Sequence, residues 1–113
     1  MTHAMYPESS AAISARRKAL APKPLEAFQA FSKAVFADGA LPEKTKHLIA
    51  VAVAHTTQCP YCIRGHTRAA RRSGATPEEI MEAIWVAAEM RAGGAYAHSA
   101  LALDELDREA AGG

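Results

Sequence analysis

Apolar residues recur at spacings of three and four along most of this chain, a pattern that indicates amphipathic helices rather than strands. It predicts helices over residues 11–20, 24–37, 42–57, 60–72 and 77–109. The last of these contains Gly93 and Gly94, and because each glycine costs about 1 kcal/mol in a helix interior, we expect a break or strong bend there. The predicted fold class is therefore all-α, a compact bundle of five to six helices.

The same pattern predicts where the helices begin and which positions face the core. Ser9 or Ser10 is expected to cap the first helix. Pro42 is expected in the first turn of the third helix, and Thr76 with Glu79 forms a capping box for the fifth. The positions predicted to be buried are Leu48, Ile49, Ala52 and Val53 on the third helix and Ile80, Ala83, Ile84, Ala87 and Ala88 on the fifth.

Composition and charge narrow the function classes. Half of the residues are hydrophobic but only 6% are aromatic, and an alanine-rich chain favours closely packed helices. The formal net charge is +1 with both signs interspersed, which argues against nucleic acid and anionic membranes as partners. No apolar run reaches the roughly 20 residues that span a bilayer. Residues 1–10 lack the features of a signal peptide, so we expect a cytoplasmic protein.

The candidate chemistry lies in the two cysteines of the chain, Cys59 and Cys62, which are followed by His66. Their spacing of i, i+3 and i+7 places all three on one face of a helix, near its N-terminus. Both the CxxC spacing and a helix N-terminus lower the pKa of a cysteine, so we expect the sulfur of Cys62 to be held ionised within bonding reach of Cys59. In a cytosolic protein such a pair indicates redox chemistry more often than a structural disulfide.

A proton acceptor is needed if Cys62 is to attack. His66 can take the proton of Cys62 directly or through water, after which the thiolate can reduce a peroxide and become a sulfenic acid. Cys59 can then condense with it to form a disulfide, or the pair can exchange with a disulfide of another protein. His47 or His55, two turns apart on the preceding helix, can act as a second proton carrier.

Three other functions are compatible with these residues. The first is a metal-binding module, with three zinc ligands and one further histidine. The second is a structural oligomer whose cysteine pair has lost its use, and the third is a lyase acting on a small lactone. The metal ligands would be Cys59, Cys62 and His66, with His47, His55 or His98 as the fourth.

Several motifs together resemble the alkylhydroperoxidase D / carboxymuconolactone decarboxylase superfamily. They are EKTKHLIAVAVA at 43–54, CPYCIRGH at 59–66, and AA at 69–70 with GATPEEI at 74–80. The region of resemblance spans about residues 41–103. It implies one all-α domain over residues 1–113 that assembles into trimers or hexamers, and because the CxxC pair is present it implies redox chemistry rather than decarboxylation.

The resemblance also implies roles for individual residues. Cys62 corresponds to the cysteine that reacts with peroxide, Cys59 to the one that resolves it, and His66 to the motif histidine. The family's relay glutamate, twelve residues before the first cysteine, is replaced here by His47, and a histidine of the peroxidases by Tyr61. The expected activity is an antioxidant oxidoreductase that acts on a hydroperoxide or a protein disulfide. It would be regenerated by a small dithiol or a redox protein, without a metal or cofactor.

Overall fold

The computed structural model describes residues 5–112, which fold into five helices joined by short loops. The all-α fold class and the helix count are confirmed, and the described residues contain no strand. Residues 1–4 and Gly113 of the predicted domain lie outside the described residues. The helices are α1 (Ala11–Leu20), α2 (Pro22–Phe36), α3 (Glu43–Thr57), α4 (Pro60–Arg72) and α5 (Pro77–Gly112).

Two of the three predicted helix starts are confirmed, and the third differs by one residue. The Ser10 hydroxyl accepts a hydrogen bond from the backbone N–H of Ile13 at 3.2 Å, and Thr76 and Glu79 bond each other's backbone N–H groups. Pro42 precedes α3 instead of opening it. The first N–H of α3, that of Glu43, donates instead to a carboxylate oxygen of Asp38 at 2.7 Å, so side chains satisfy an otherwise unpaired helix N-terminus.

The expected break at Gly93 and Gly94 is wrong, because α5 runs without interruption from Pro77 to Gly112. The penalty for glycine is local, whereas a helix gains one backbone hydrogen bond for every residue it propagates. Strong helix formers, mainly alanine, leucine, methionine and glutamate, lie on both sides of the two glycines. Their combined propensity outweighs a cost of about 1 kcal/mol per glycine.

The core forms where α3 packs against both α4 and α5. Its buried cluster is Val51, Ala70, Ala75 and Ile80, with Leu48 and Ile84 packed against it. On α3 the buried positions are His47, Val51 and Ala54, so the predicted stripe is rotated, and Ile49 and Val53 face solvent. The prediction for α5 is closer: Ile80 and Ala87 are buried, although Ala88 is exposed.

Beyond this core the chain is elongated. Its radius of gyration is 20.0 Å and its extents are 62 × 34 × 34 Å, whereas a compact domain of this length has a radius of about 13 Å. Among the described helices, α1 packs only against α2, which in turn contacts α3. None of the helices in residues 5–112 has both the length and the apolar character needed to cross a bilayer.

Candidate functional site

The two cysteines meet at the turn between α3 and α4. Gln58 adopts a left-handed conformation (φ 57°) that ends α3, and Cys59 follows as the N-cap of α4. Both thiols are free, and their Sγ atoms lie 2.9 Å apart. Because a disulfide bond is about 2.05 Å long, this pair needs an approach of only about 0.9 Å to form one. The prediction that the sulfurs lie within bonding reach is confirmed.

The two sulfurs differ in their hydrogen bonds. The sulfur of Cys59 accepts the backbone N–H of Cys62 at 3.3 Å and is within hydrogen-bonding distance of the sulfur of Cys62. These hydrogen bonds lower the pKa of Cys59, the largest effect coming from the Cys62 thiol. The same contact with Cys59, together with partial burial, raises the pKa of Cys62. The structure therefore differs from the expectation of an ionised Cys62, since the thiolate is favoured on Cys59 and the shared proton on Cys62.

Two predicted histidines meet where α3 packs against α4. The Nδ1 atoms of His47 on α3 and His66 on α4 lie 3.2 Å apart, within hydrogen-bonding distance. His47 is 7% exposed, because it occupies the core-facing stripe of α3. Burial is the main cause that lowers the pKa of His66, and the neighbouring His47 adds to it. His66 therefore stays neutral more readily than free histidine, which keeps a basic nitrogen available.

An aromatic ring and a carboxylate hold this histidine pair. Phe36, the last residue of α2, stacks on His47 with a centroid separation of 4.6 Å and on His66 with one of 5.0 Å. On the opposite side of the ring from its Nδ1, Nε2 of His47 lies 3.4 Å from a carboxylate oxygen of Glu43, one turn earlier on α3. The rings are thus fixed by three different helices.

The remaining candidate residues lie apart from this group. His55 bonds the carbonyl oxygen of Val51 through its Nδ1 at 2.7 Å, a local contact within α3. His98 is exposed on the far half of α5. Tyr61 donates its hydroxyl to the carbonyl of Pro7 at 2.7 Å, which holds the N-terminal segment against α4.

The described residues contain no ligand set for the alternative function, a metal-binding module. Across residues 5–112, no group of three or more histidine, cysteine, aspartate or glutamate side chains is placed to hold a metal ion. Nδ1 of His66 is engaged by His47, and no hydrogen bond in the described part of the chain joins His66 to either sulfur.

Two open cavities flank the site on different sides. One of about 470 Å³ is bordered by residues of the α2–α3 loop, the start of α3 and the end of α4; neither cysteine lines it. The other, of about 390 Å³, lies between the N-terminal segment and α4 and is lined by Pro60, Tyr61, Arg64 and Arg68 among others. Neither cysteine lines the second cavity either, whereas Glu43 and His47 both line the first.

Sequence reasoning missed Phe36 and the contact of Glu43 with His47. Phe36 lies outside the apolar stripe of α2, and its partners belong to other helices, so no local signal indicates it. Glu43 was detectable, since a carboxylate four residues before a histidine on a helix is spaced for an ion pair. Its position in the first turn of α3 also suits a negative charge near the helix N-terminus.

Comparison with known proteins places this geometry in a family. The model of the carboxymuconolactone decarboxylase family matches residues 22–105. Uncharacterized protein 4 in the cox locus of Paracoccus denitrificans is 62% identical over 107 residues, which cover 95% of this chain and 96% of that protein.

Solved structures with the same fold come from an archaeon and a bacterium. A crystal structure of a protein from Methanobacterium thermoautotrophicum superposes with a TM-score of 0.68 at 37% identity, covering 74% of this chain and 95% of the other. The apo form of a carboxymuconolactone decarboxylase family protein from Legionella pneumophila gives a TM-score of 0.68 at 34% identity. That match covers 86% of this chain and 87% of the other.

Proposed function

The chain belongs to the carboxymuconolactone decarboxylase family, and from that premise we propose that it is a thiol-dependent oxidoreductase that reduces hydroperoxides through its CxxC pair. The observation that carries this proposal is the approach of two free sulfurs to 2.9 Å at the N-terminus of α4. A pair at this distance closes into a disulfide without rearranging the helices. A protein disulfide is a second substrate class open to the same pair by thiol exchange.

The catalytic cycle follows from the positions of the two sulfurs. The thiolate of Cys62 attacks the terminal oxygen of a hydroperoxide, so an S–O bond forms while the O–O bond breaks and the alkoxide leaves as an alcohol. The thiolate of Cys59 then attacks the sulfenic sulfur, which forms the disulfide and releases water. One hydroperoxide is thereby reduced by two thiols. A dithiol, either small or carried by a redox protein, returns the pair to its reduced state.

The unequal pKa values of the sulfurs fit this division of labour. Cys59 has the lowered pKa, so it loses its proton more readily than a free cysteine, which favours it as the thiol that resolves the sulfenic acid. Cys62 has the raised pKa and must lose its proton before it attacks. His66 lies one turn along the same helix face, and together with His47 it is the base that this step requires.

The assembly proposed with this function is a homo-oligomer, a trimer or hexamer. Large apolar side chains of α2 and of the far half of α5 are exposed in the single chain, among them Phe31, Tyr96 and Leu103. Exposed apolar area of this extent is typical of a protein–protein contact. A second copy of this chain would cover this apolar area, while the cysteine pair would remain in the core of each chain.

The two cysteine variants test the function and the role of each sulfur. Each variant is mixed with a hydroperoxide in the presence of a reagent that traps sulfenic acids. Cys59→Ser is expected to accumulate trapped sulfenic acid on Cys62, because its resolving thiol is gone. Cys62→Ser is expected to accumulate none and to consume no peroxide above background.

The control for this test is Thr67→Ser, a conservative change on the same helix away from both sulfurs, which should leave peroxide consumption unchanged. Sulfenic acid trapped in Cys62→Ser but not in Cys59→Ser would reverse the roles of the two cysteines. Equal peroxide consumption by the wild-type protein and by Cys62→Ser would exclude thiol peroxidase activity.

A further inference from the structure

We propose that the cavity between residues 6–9 and α4 binds the carboxylate of an organic substrate through Arg64 and Arg68. The inference rests on the proposed function, because it assigns the substrate class: a hydroperoxide that carries a carboxylate on an apolar or aromatic body. The cavity has a volume of about 390 Å³. This volume lies within the usual range of small-molecule sites, about 300–1,000 Å³.

Two arginines on one face of α4 supply positive charge to this cavity. Arg64 and Arg68 are four residues apart, so their side chains are neighbours on the helix surface, and both line the cavity. Within residues 5–112, the arginine side chains that make hydrogen bonds or ion pairs are Arg71, Arg91 and Arg108. Both guanidinium groups of the cavity are therefore available. Like charges at this spacing repel each other, and a carboxylate between them would relieve the repulsion and accept paired N–H bonds.

Two tyrosines form an aromatic part of the wall. The ring of Tyr6 lies edge-on to that of Tyr61, with a centroid separation of 6.0 Å and an interplanar angle of 84°. The hydroxyl of Tyr61 donates to the carbonyl oxygen of Pro7 at 2.7 Å. These contacts hold the N-terminal segment over α4, so the wall is formed within one chain. The rings offer apolar contact to the body of a substrate, while the arginines select its charge.

The cavity lies next to the cysteine that is proposed to attack the peroxide. Tyr61, one of the lining residues, lies between Cys59 and Cys62 in the sequence, and Cys62 is exposed. Because an α-helix rises about 1.5 Å per residue, Arg64 and Arg68 lie about 3 Å and about 9 Å further along its axis than Cys62. A substrate whose carboxylate lies between the two guanidinium groups can therefore extend along α4 toward this sulfur.

One acidic residue, Glu8, also lines the cavity. In the described part of the chain, no ion pair joins Glu8 to Arg64 or Arg68; the ion pairs present involve other residues. Two arginines and one glutamate give the cavity a formal charge of +1, which still favours an anion. Glu8 repels a bound carboxylate, so its replacement by glutamine should strengthen binding.

Titration with benzoate, followed by NMR of the tyrosine rings, tests the site without turnover. The chain has three tyrosines, of which Tyr6 and Tyr61 line the cavity and Tyr96 lies on α5. Benzoate should shift the signals of Tyr6 and Tyr61 in a saturable way and leave that of Tyr96 unchanged. Benzamide has the same shape without the charge, and it should shift none of them.

Three variants show whether the charges of the cavity are responsible. The double change Arg64→Gln with Arg68→Gln should weaken benzoate binding at least about tenfold, because hydrogen bonds to a charged group are lost at both positions. Glu8→Gln should strengthen it about threefold. The matched control is Arg16→Gln with Arg17→Gln, which removes the same two charges from α1, outside the cavity. This control should bind benzoate like the wild type.

The choice between two peroxides connects the site to the proposed function. Cumene hydroperoxide and its 4-carboxylate derivative carry the same peroxide group and differ by one charged substituent. The wild-type protein should prefer the carboxylate, with a kcat/KM at least about tenfold higher. The double change at Arg64 and Arg68 should abolish this preference, mainly by raising the KM of the carboxylate.

The possible results separate the carboxylate site from the peroxidase activity. The site is refuted if benzoate shifts neither tyrosine of the cavity, or if the cavity double variant binds benzoate as tightly as its control. Reduction of both peroxides with equal kcat/KM would refute the assigned substrate class and leave the proposed function standing. Saturable benzoate binding by a protein that reduces neither peroxide would support the carboxylate site and refute the proposed function.

Discussion

Two regions of this protein, called here the core and the arm, differ in which side chains they bury and which they expose. The core comprises α3, α4 and residues 77–92 of α5, and its buried polar groups are paired: no buried side-chain nitrogen or oxygen atom among the described residues lacks a partner. The arm comprises residues 22–35 of α2 and residues 93–112 of α5, where large apolar side chains face water; Phe36, at the end of α2, belongs with the candidate site. Phe31 is 65% exposed and Tyr96 is 82% exposed.

The contrast separates the residues of the candidate site from the exposed apolar residues to which we assign the proposed assembly. The sulfur pair, the histidines and Glu43 are all positioned by contacts within one chain. The large apolar side chains of the arm remain exposed in the single chain. Changes in the arm should therefore alter association, and changes in the core should alter stability or the titration of the site.

The largest expected effect is on association, from the double change Leu103→Glu with Leu106→Glu. Both leucines lie on one face of α5 with Tyr96, at spacings of three and seven residues, and both are exposed in the single chain. Burying one leucine contributes about 1.5–3 kcal/mol, so losing two should weaken assembly at least about 100-fold. Sedimentation or mass photometry of the variant should give a single chain.

Arg108→Glu is the control for this change, since it alters the net charge by the same two units. Arg108 lies on the other face of α5, where it pairs with Asp104 at 2.8 Å, and an exposed pair of this kind contributes about 0–1 kcal/mol. This variant should keep the wild-type mass. An oligomer that survives the double leucine change would show that this face of the arm is not the contact.

The second expected effect is on stability, from Val51→Ala in the core. Val51 is fully buried in the central cluster, and removal of its two methyl groups should cost about 2 kcal/mol of unfolding free energy. Val53→Ala is the matched control, because Val53 lies on the same helix but is 54% exposed, and it should cost less than about 0.5 kcal/mol. Urea denaturation measures both, and equal losses would contradict the assignment of the core face.

The third expected effect is a loss of stability on acidification that depends on His66. Its pKa in the folded chain is lowered by burial, so as the pH falls through about 6.5 the unfolded chain takes up a proton that the folded chain resists. Stability should fall with pH until the lower folded pKa is reached and then level off. The urea midpoint at about pH 7.5 and about pH 5.5 should therefore differ less in His66→Asn than in the wild type.

His98→Asn is the control for this dependence, since it makes the same substitution at an exposed position of the arm. It should retain the wild-type response to pH. If His66→Asn and the wild type lose the same stability on acidification, then burial of His66 does not oppose its protonation.

The smallest expected effect is a gain of stability from Gly94→Ala, at the junction of core and arm. A Cβ atom at Gly94 would meet no other atom within 4 Å, so the variant should gain about 0.5–1 kcal/mol from the higher helix propensity of alanine. Gly74→Ala should instead be destabilising, because Gly74 has a φ of +96°. A loss of assembly in Gly94→Ala would indicate that a partner chain approaches the helix at this point.

The sequence was sufficient where structure depends on residues within a few turns of one another. The Ser10 cap, the capping box at Thr76 and Glu79, and the position of the CxxC motif at a helix N-terminus are all confirmed. Each of these features is set by local hydrogen bonding. The family resemblance is likewise confirmed, because the motifs that carry it are short and fixed in spacing.

The sequence was insufficient where structure depends on how the helices cross. The contact of His47 with His66 joins residues 19 apart, and the stacking of Phe36 adds a third helix. The rotated core face of α3 has the same origin, since its neighbours decide which positions are buried. The unequal pKa values of Cys59 and Cys62 depend mainly on the contact between the two thiols, whose geometry spacing alone does not specify.

The most direct test of the redox assignment is a thiol count of the fully reduced protein before and after one equivalent of hydroperoxide. The account predicts that two thiols per chain disappear and return after treatment with a dithiol, and that Cys59→Ser forms no intramolecular disulfide. If both thiols remain free after the peroxide has been added, the CxxC pair is not a peroxide-reducing centre.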